Sequence, residues 1–333
     1  MLNHDEELAR IADEETRQRV VAGLGRLRPA LGAAIPVGTD ETLLLATWNI
    51  REFDSGRYGY RPPEPYHYIA EILSRFDLVA IQEVRNLYPL QQLQKMLGAR
   101  WWGFLVTDVT LGTAGNSERM AYLYDRRKVD FAGLAAELVL PASAAELQFA
   151  RTPYIAGFHA GGVWLTLATV HIYYGDDVAV DPRRLAEIAA FAKTLASNAA
   201  KFSCAPQSAP DAAPAPGNLI ALGDFNIFNR KDATFAALTQ SGFVVPPELQ
   251  AVPGSNVDKN KHYDQIAWYK KLTGVAPTGR AGVFDYYQHV YRAEDEADYA
   301  AERAVKPARG FREWRSYRMS DHLPMWVELS VEG

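Results

Sequence analysis

Short apolar runs and amphipathic segments alternate along most of the chain. Runs rich in branched and aromatic side chains predict strands, and apolar residues at helical spacing predict helices. The predicted strands cover residues 42–50, 77–82, 120–124, 154–158, 163–171, 219–222, 265–269 and 325–329. The predicted helices cover residues 66–75, 90–97 and 183–197. Some strands follow one another directly and others are joined through helices, which favours an α/β fold with two packed β-sheets and helices outside them.

Two segments differ from this alternation. Residues 5–31 place apolar side chains near one stripe, which predicts an amphipathic helical arm on the outside of the domain. Residues 203–217 are rich in proline, alanine and serine, which predicts a surface loop inserted within one domain. We therefore assign residues 1–38 to an N-terminal helical arm and residues 39–333 to a single domain that contains this insertion.

Composition limits the classes of protein and site that need to be considered. The 333 residues are 48% hydrophobic and 23% charged, which is enough for a substantial core. The net charge of −5 neither implies nor excludes a nucleic-acid partner. Cys204 is the only cysteine, so an intrachain disulfide and a cysteine-based zinc cluster are both excluded.

The sequence also bears on location. No run reaches the roughly 20 apolar residues of a membrane span. The acidic N-terminal residues lack the basic and then apolar order of a secretory signal. We expect a cytoplasmic protein, or an exported one if a leader has been removed, and we predict no protein partner.

Polar residues stand at the ends of six predicted strands. They are Asn49, Gln82-Glu83, His171, Asp224 with Asn226, Asp264, and Asp321-His322. Open α/β folds gather ligand groups just past strand ends, so we expect these side chains to form one site. Oxygen ligands without thiolates suit a hard cation such as Mg²⁺, Mn²⁺ or Ca²⁺. Two histidines near carboxylates suit the cleavage of a phosphate ester.

Each polar group also has a simpler structural interpretation when it is taken alone. Asn49 could close a turn, Asp224 and Asn226 could form an Asx-turn, and His171 could be a hydrogen-bonded core residue. The loop at residues 57–61 contains two arginines and two tyrosines, and it could be a substrate-facing lip or a solvated loop.

A series of short motifs resembles one family in content and in order. The motifs are Thr47-Trp48-Asn49-Ile50-Arg51, Ile81-Gln82-Glu83-Val84-Arg85, Ser117-Glu118-Arg119, Phe149-Ala150-Arg151-Thr152-Pro153, Val170-His171, Gly223-Asp224-Phe225-Asn226, His262-Tyr263-Asp264-Gln265-Ile266 and Ser320-Asp321-His322-Leu323-Pro324. They resemble the endonuclease/exonuclease/phosphatase superfamily, and they are most similar to deoxyribonuclease I-like nucleases. The resemblance covers residues 43–329 and implies a four-layer α/β sandwich of two mixed β-sheets flanked by helices.

The resemblance implies a metal site and a phosphate site. Glu83 would be the main ligand of a catalytic Mg²⁺ or Mn²⁺, with Ca²⁺ as a further possibility, and Asn49 and Asp321 would lie near the same ion. Asp224 and Asn226 would hold the scissile phosphate and orient the attacking water or a second metal.

The resemblance also implies two proton carriers and three substrate contacts. His322, supported by Asp264, would be the general base. His171, supported by Glu118, would be the general acid at the leaving oxygen. The implied contacts to the nucleic-acid backbone or groove are Arg51, Arg85 and Arg151.

The chain departs from the secreted nucleases at two points. Asn116 and Ser117 occupy the stretch where those nucleases carry a groove-inserting tyrosine, and Cys204 has no partner for a disulfide. We expect a metal-dependent endonuclease acting on DNA. The departures and the acidic balance favour an alternative, a phosphoesterase of small or lipid-linked substrates such as nucleotides, inositol phosphates or sphingomyelin. A non-catalytic DNA-binding module on the same fold is a third hypothesis.

Overall fold

Two six-stranded β-sheets form the centre of the molecule. The structure is a computed structural model, and it describes residues 4–110, 116–141, 148–206, 217–304 and 310–331. The strands are β1 (Thr42–Phe53), β2 (Leu78–Val84), β3 (Trp102–Val106), β4 (Arg119–Asp125), β5 (Val129–Glu137), β6 (Tyr154–Ala160), β7 (Val163–His171), β8 (Asn218–Asp224), β9 (Phe243–Val244), β10 (Asp264–Tyr269), β11 (Val275–Val283) and β12 (Met325–Val331).

Helices lie between and around the strands. They are α1 (His4–Leu8), α2 (Glu14–Ala34), α3 (Pro63–Leu73), α4 (Tyr88–Leu97), α5 (Pro182–Ser197), α6 (Ala233–Thr239), α7 (Pro247–Gln250), α8 (Ala300–Ala304) and α9 (Phe311–Ser316). Across the ranges that the structure describes, none of them combines the length and the apolar character that a bilayer span requires.

Both sheets are mixed. The first has the order β11-β12-β1-β2-β4-β3, and the second has the order β5-β6-β7-β8-β10-β9. The β1–β2 and β7–β8 pairs are parallel, and the other pairs are antiparallel. One apolar core lies between the sheets and continues under α5, and a second lies between the first sheet and helices α2 to α4. The predicted α/β fold with two mixed sheets flanked by helices is therefore confirmed.

The eight strands predicted from apolar runs are the interior strands of the two sheets. The four strands that were not predicted are β11 and β3 at the edges of the first sheet and β5 and β9 at the edges of the second. Edge strands are half exposed, and they tolerate residues such as Pro277 and Gly279 that would interrupt an interior strand.

The N-terminal arm is two helices instead of the single predicted one. The break falls before α2, where the Asp13 side chain accepts a hydrogen bond from the Thr16 backbone N–H and caps the helix. The apolar stripe of α2, which includes Leu24 and Leu31, is buried in the core that also contains α3. Residues 207–216 of the predicted insertion lie outside the described residues, and the assignment of two regions to the chain stays a prediction.

Gly223 permits a close approach of two strands just before Asp224. It has a φ of 133° and pairs with Val170 across the parallel β7–β8 ladder. A Cβ atom there would lie 2.3 Å from the Val170 carbonyl oxygen. That steric clash involves a backbone atom, so it could be removed only by moving a strand. Glycine is therefore required at this position.

Gly223→Ala should lower the free energy of unfolding by about 2 kcal/mol or more, because the added methyl group forces apart two buried strands. The matched control is Gly25→Ala in the exposed face of α2, where a Cβ meets nothing within 4 Å. That change should raise the free energy of unfolding by about 0.5–1 kcal/mol through helix propensity. Urea unfolding midpoints measure both, and equal effects of the two substitutions would contradict this account of Gly223.

Candidate active site

Three neighbouring strands of the second sheet place polar residues on one rung. His171 of β7 and Asp264 of β10 are both register partners of Asp224 in β8. Paired residues on adjacent strands point to the same face of a sheet, about 5 Å apart. Strand pairing alone therefore brings one imidazole and two carboxylates side by side, and all three are buried.

The Asp224 carboxylate is the acceptor at the centre of the site. Its Oδ2 accepts a hydrogen bond from Asn49 Nδ2 at 3.0 Å. The same oxygen lies 3.5 Å from His171 Nε2 and 3.6 Å from His322 Nε2. Its Oδ1 accepts a hydrogen bond from the Asn226 backbone N–H at 2.9 Å. Two imidazoles thus face one carboxylate oxygen.

Each of these histidines has a second carboxylate behind it. His322 Nδ1 lies 2.8 Å from Asp264 Oδ2, and His171 Nδ1 lies 2.7 Å from Glu118 Oε2. A carboxylate at Nδ1 fixes the ring orientation and leaves Nε2 to exchange protons. The predicted supporting pairs, His322 with Asp264 and His171 with Glu118, are hydrogen-bonded in the structure.

The charges around the imidazoles favour their protonated forms. Burial lowers the pKa of His322, but attraction to Asp264 and Asp224 outweighs burial and raises this pKa to about 10. Burial and Arg151 lower the pKa of His171, and Glu118 reverses the balance and raises it. Burial would raise the pKa of Glu118, yet His171 and Arg151 hold that pKa below its usual range.

Glu83 and Asn49 form an oxygen-rich pair beside this centre. Asn49 Nδ2 donates to Glu83 Oε1 at 2.9 Å, and Glu83 Oε2 accepts from the Glu52 backbone N–H at 2.8 Å. Asn49 Oδ1 is buried and has no hydrogen-bond partner within the described ranges. Burial, and then the charge of Glu118, raise the pKa of Glu83. An unpartnered carbonyl oxygen next to a carboxylate with a raised pKa fits a hard cation.

Backbone geometry aims Glu83 into the site. Regular alternation along β2 would send Glu83 to the face opposite Gln82, whose Nε2 bonds Thr169 Oγ1 of the other sheet at 2.9 Å. Instead Glu83 has a φ of 63°, and the β2–β4 register shifts between Ile81 and Val84. Left-handed backbone at a non-glycine residue costs about 1–3 kcal/mol and concentrates at functional sites.

Asp321 is the most exposed of the predicted metal residues. Its side chain is 44% exposed, and its Oδ2 lies 3.5 Å from Arg51 Nη1. The charge of Asp321 also raises the pKa of Glu83, after the larger effects of burial and Glu118. The role of Asp321 as a metal ligand stays a prediction.

A second group of atoms also has the composition of a metal site. Ligand atoms of Asp224, Asp264 and His322 all lie within 4.8 Å of one another. In that group, however, the Asp264 carboxylate is already bonded to His322 Nδ1. A cation there would lie against an imidazole whose neighbouring carboxylates favour its protonated form, so the Glu83–Asn49 pair is the better candidate.

The three predicted substrate arginines are held by protein groups. Arg151 is buried and binds Glu118 through Nε at 2.7 Å and Nη2 at 3.2 Å. Arg85 Nη2 lies 2.7 Å from Glu52 Oε1. Arg51 donates from Nη2 to the Tyr317 hydroxyl at 2.9 Å. Their contacts with nucleic acid stay predictions, and in the structure Arg151 orients the carboxylate behind His171.

Ser320 is a site residue to which the sequence alone assigned no role. Its buried hydroxyl donates to the Asn49 carbonyl oxygen at 2.7 Å and accepts from the His322 and Arg51 backbone N–H groups at 3.0 and 3.1 Å. This one hydroxyl fastens the His322 segment to β1. The available signal was its position directly before Asp321, in a stretch that otherwise supplies the site.

Comparison with known proteins identifies relatives of this chain. The model of the Endonuclease/Exonuclease/phosphatase family matches residues 46–293. A deoxyribonuclease of Thioalkalivibrio sp. (strain K90mix) is 30% identical over 299 residues, which cover 88% of this chain and 72% of the relative.

Solved structures share the fold at lower identity. TDP2 of D. rerio, solved in complex with a single-strand DNA product, has a TM-score of 0.54 and 16% identity, covering 87% of this chain and 99% of that one. A mannosyl-6-phosphatase of Bacteroides thetaiotaomicron has a TM-score of 0.52 and 15% identity, covering 86% and 99%. The oxygen-rich site therefore lies on a fold that these phosphate-handling proteins share.

Glu187 is a buried residue that contacts the segment next to Arg151. It was not identified from the sequence, because a glutamate on a helix is usually solvated. It lies buried on α5, and its Oε1 accepts a hydrogen bond from the Ala150 backbone N–H at 3.1 Å. Ala150 directly precedes Arg151, so Glu187 helps to position the guanidinium that binds Glu118. Burial raises the pKa of Glu187 to about 7.

Glu187→Gln should change how stability depends on pH. The folded protein holds the Glu187 proton more tightly than the unfolded chain does, so wild-type stability falls as pH rises from about 4.5 to about 7. Glutamine carries no such proton, so the variant should gain about 1–3 kcal/mol over wild type at pH 8 and almost nothing at pH 4.5. Urea unfolding at both pH values tests this, with exposed Glu41→Gln as the control. A stability difference that is independent of pH would contradict it.

Proposed function

Since this chain belongs to the endonuclease/exonuclease/phosphatase family and is a phosphate-ester hydrolase, we propose that it is a divalent-metal-dependent endonuclease that cleaves DNA phosphodiester bonds. The observation that carries this proposal is the approach of His171 and His322, each backed by a carboxylate, to one oxygen of Asp224. The relative named deoxyribonuclease and the fold neighbour with a single-strand DNA product support DNA as the substrate.

His322 and Asp264 carry the base side of the reaction. In its neutral form His322 takes a proton from the attacking water at Nε2, and Asp264 at Nδ1 stabilises the imidazolium that results. Asp224 and Asn226 orient the water and the scissile phosphate. Asp224 suits this role because its carboxylate faces both imidazoles and its own position is fixed by the Asn226 backbone N–H.

His171 and Glu118 carry the acid side. His171 Nε2 donates a proton to the leaving oxygen, and Glu118 at Nδ1 favours the protonated imidazole by raising its pKa against the opposing effects of burial and Arg151. Arg151 fixes Glu118 through two hydrogen bonds. The two histidines thus divide the proton transfers on either side of the phosphate.

Glu83 and Asn49 would hold the cation, with Asp321 beside them. Mg²⁺ or Mn²⁺ bound there would neutralise charge on the phosphoryl oxygens and oppose the carboxylates that raise the pKa of His322. Arg51 and Arg85 flank the same region through their contacts with Asp321 and Glu52, which suits contacts to neighbouring phosphates.

Wild-type protein with Mg²⁺ or Mn²⁺ should nick supercoiled plasmid, and His322→Ala should slow nicking by about 10²–10⁴-fold because the proton acceptor is lost. Asp264→Asn and Glu118→Gln should lower kcat more than they raise KM, since they orient the imidazoles and do not bind DNA. His159→Ala is the matched control, because His159 pairs with Trp164 at the far end of β7 from His171. Wild-type nicking no faster than the His322→Ala variant would sink the proposal.

Glu83→Gln should weaken divalent-metal binding by about 10-fold or more, because it removes the carboxylate charge from the proposed ligand set. Isothermal titration with Mn²⁺ measures the affinity without any substrate. Exposed Glu41→Gln should leave that affinity unchanged. If both variants bind Mn²⁺ like wild type, the cation lies elsewhere, and the Asp224–Asp264–His322 group becomes the candidate.

The acidic balance and the absence of a tyrosine shortly before Glu118 favour a second candidate, a phosphoesterase of small or lipid-linked substrates. Two results together would establish it. The protein would release phosphate from nucleotides or inositol phosphates, or phosphocholine from sphingomyelin, and it would leave plasmid intact. Tight DNA binding with no turnover in Mg²⁺, Mn²⁺ or Ca²⁺ would instead establish a non-catalytic DNA-binding module.

A further inference from the structure

A cavity of about 700 Å³ lies between the N-terminal arm and the loop that follows β1. Its walls come from residues 10–16 of the arm, residues 57–63 of the loop and residues 314–318 of the α9 segment. The family model begins at residue 46, so one wall is built from a part of the chain that the model does not include.

The cavity is joined to the candidate active site through one arginine. Tyr317 lines the cavity, and its hydroxyl accepts a hydrogen bond from Arg51 Nη2 at 2.9 Å. Arg51 Nη1 lies 3.5 Å from the carboxylate of Asp321, the residue before His322. A substrate whose phosphate lies at the site would therefore place its neighbouring chemical group at the cavity.

Flat aromatic rings dominate the wall nearest the site. Tyr58 stacks on Tyr317 with ring centroids 4.4 Å apart and an interplanar angle of 18°. Tyr60 is 68% exposed at the cavity. Trp314 also lines it, with the Arg318 guanidinium 4.8 Å from its ring centroid. Exposed aromatic rings beside guanidinium groups are the elements with which proteins stack unpaired bases and hold the adjoining phosphates.

Acidic and basic residues both line the cavity. The acidic residues Glu64 and Glu302 lie 3.3 and 2.7 Å from Arg19, and Asp13 accepts a hydrogen bond from the Thr16 backbone N–H. Arg57 and Arg318 make no ion pair with any residue in the part of the chain that the structure describes. These two guanidinium groups, which lie over the rings of Tyr58 and Trp314, can hold a phosphate next to a stacked base.

The loop is held in place before any ligand binds. Arg61 is buried and donates to the carbonyl oxygens of Arg51 at 2.6 Å, Arg318 at 2.8 Å and Met319 at 3.0 Å. These bonds fasten the loop to both the β1 end and the α9 segment. Arg61 is thus a structural residue, and a preformed cavity spends little binding energy on ordering itself.

We propose that this cavity receives an unpaired nucleobase of the substrate strand next to the scissile phosphate, so that single-stranded or frayed DNA is bound in preference to intact duplex. This inference rests on the proposed function. A base inside a duplex would have to lose its stacking and its base pair before it could enter, which makes duplex binding less favourable.

The test compares binding of a fluorescently labelled single strand and of its duplex by anisotropy in EDTA, where no cleavage occurs. Tyr60→Ala and Tyr58→Ala should each weaken single-strand binding by about 5-fold to 100-fold, the usual range for a lost base–aromatic stack, and should change duplex binding by less than about 2-fold. Tyr60→Phe should bind like wild type, because the ring makes the contact. Tyr60 is exposed, so its variants should fold.

Trp101→Ala is the matched control. Trp101 is also exposed and has the Arg100 guanidinium 4.7 Å from its ring. It lies next to the Trp102–Asp125 pair, at the end of β4 opposite Glu118. Its loss should change neither single-strand nor duplex binding, which separates a specific cavity from general aromatic and basic surface.

Several outcomes would overturn the proposal. One is that Tyr60→Ala binds the single strand as tightly as wild type does. Another is that Tyr60→Ala loses affinity for single strand and duplex equally. A third is that Tyr60→Ala keeps its affinity for DNA but no longer binds phosphatidylcholine–sphingomyelin vesicles that wild type binds. If wild type nicks plasmid but Tyr60→Ala binds single strands normally, only the cavity assignment fails. If wild type neither nicks plasmid nor binds either DNA, the proposed function fails and the cavity assignment fails with it.

Discussion

The hydrogen bond between Asn49 and Asp224 is the contact on which the site depends, because it joins the two sheets where each supplies half of the chemistry. The first sheet contributes Glu83 and Asn49, and the second contributes the rung of His171, Asp224 and Asp264. Neither sheet alone contains all the side chains of the proposed metal ligands, proton carriers and phosphate-orienting groups. Because Asp224 is buried, its charge is compensated only by the groups that face it, and their positions are therefore tightly specified.

The sequence was sufficient to predict the interior of the fold but not its borders. Apolar runs predicted the eight interior strands, because a strand covered on both faces must be apolar along its length. β3, β5, β9 and β11 have an open edge and lack that requirement. β5 alternates between exposed and half-exposed positions after its second residue, so it has no apolar run to detect. Their pairing depends on neighbours that are distant in sequence, which a local pattern does not report.

For the candidate site, residue types and strand ends were enough to predict which side chains lie close together in the structure. The orientation of these side chains was not predictable from the sequence, because it depends on the tertiary structure. The left-handed turn at Glu83 breaks the alternation that a strand pattern assumes. Arg151 was predicted as a contact to nucleic acid, yet it is buried against Glu118, next to a backbone N–H that Glu187 binds. A glutamate on a helix gives no sequence signal of that role.

The arm that builds one wall of the cavity lies outside both sheets, and it is anchored through the core that α2 shares with α3. Residues 10–16 can therefore change in size or charge without displacing the rung that holds Asp224. Chemistry and selection are physically separate in this molecule. Variation in the arm gives evolution, or an engineer, a way to alter what enters while the bond-breaking machinery is inherited intact.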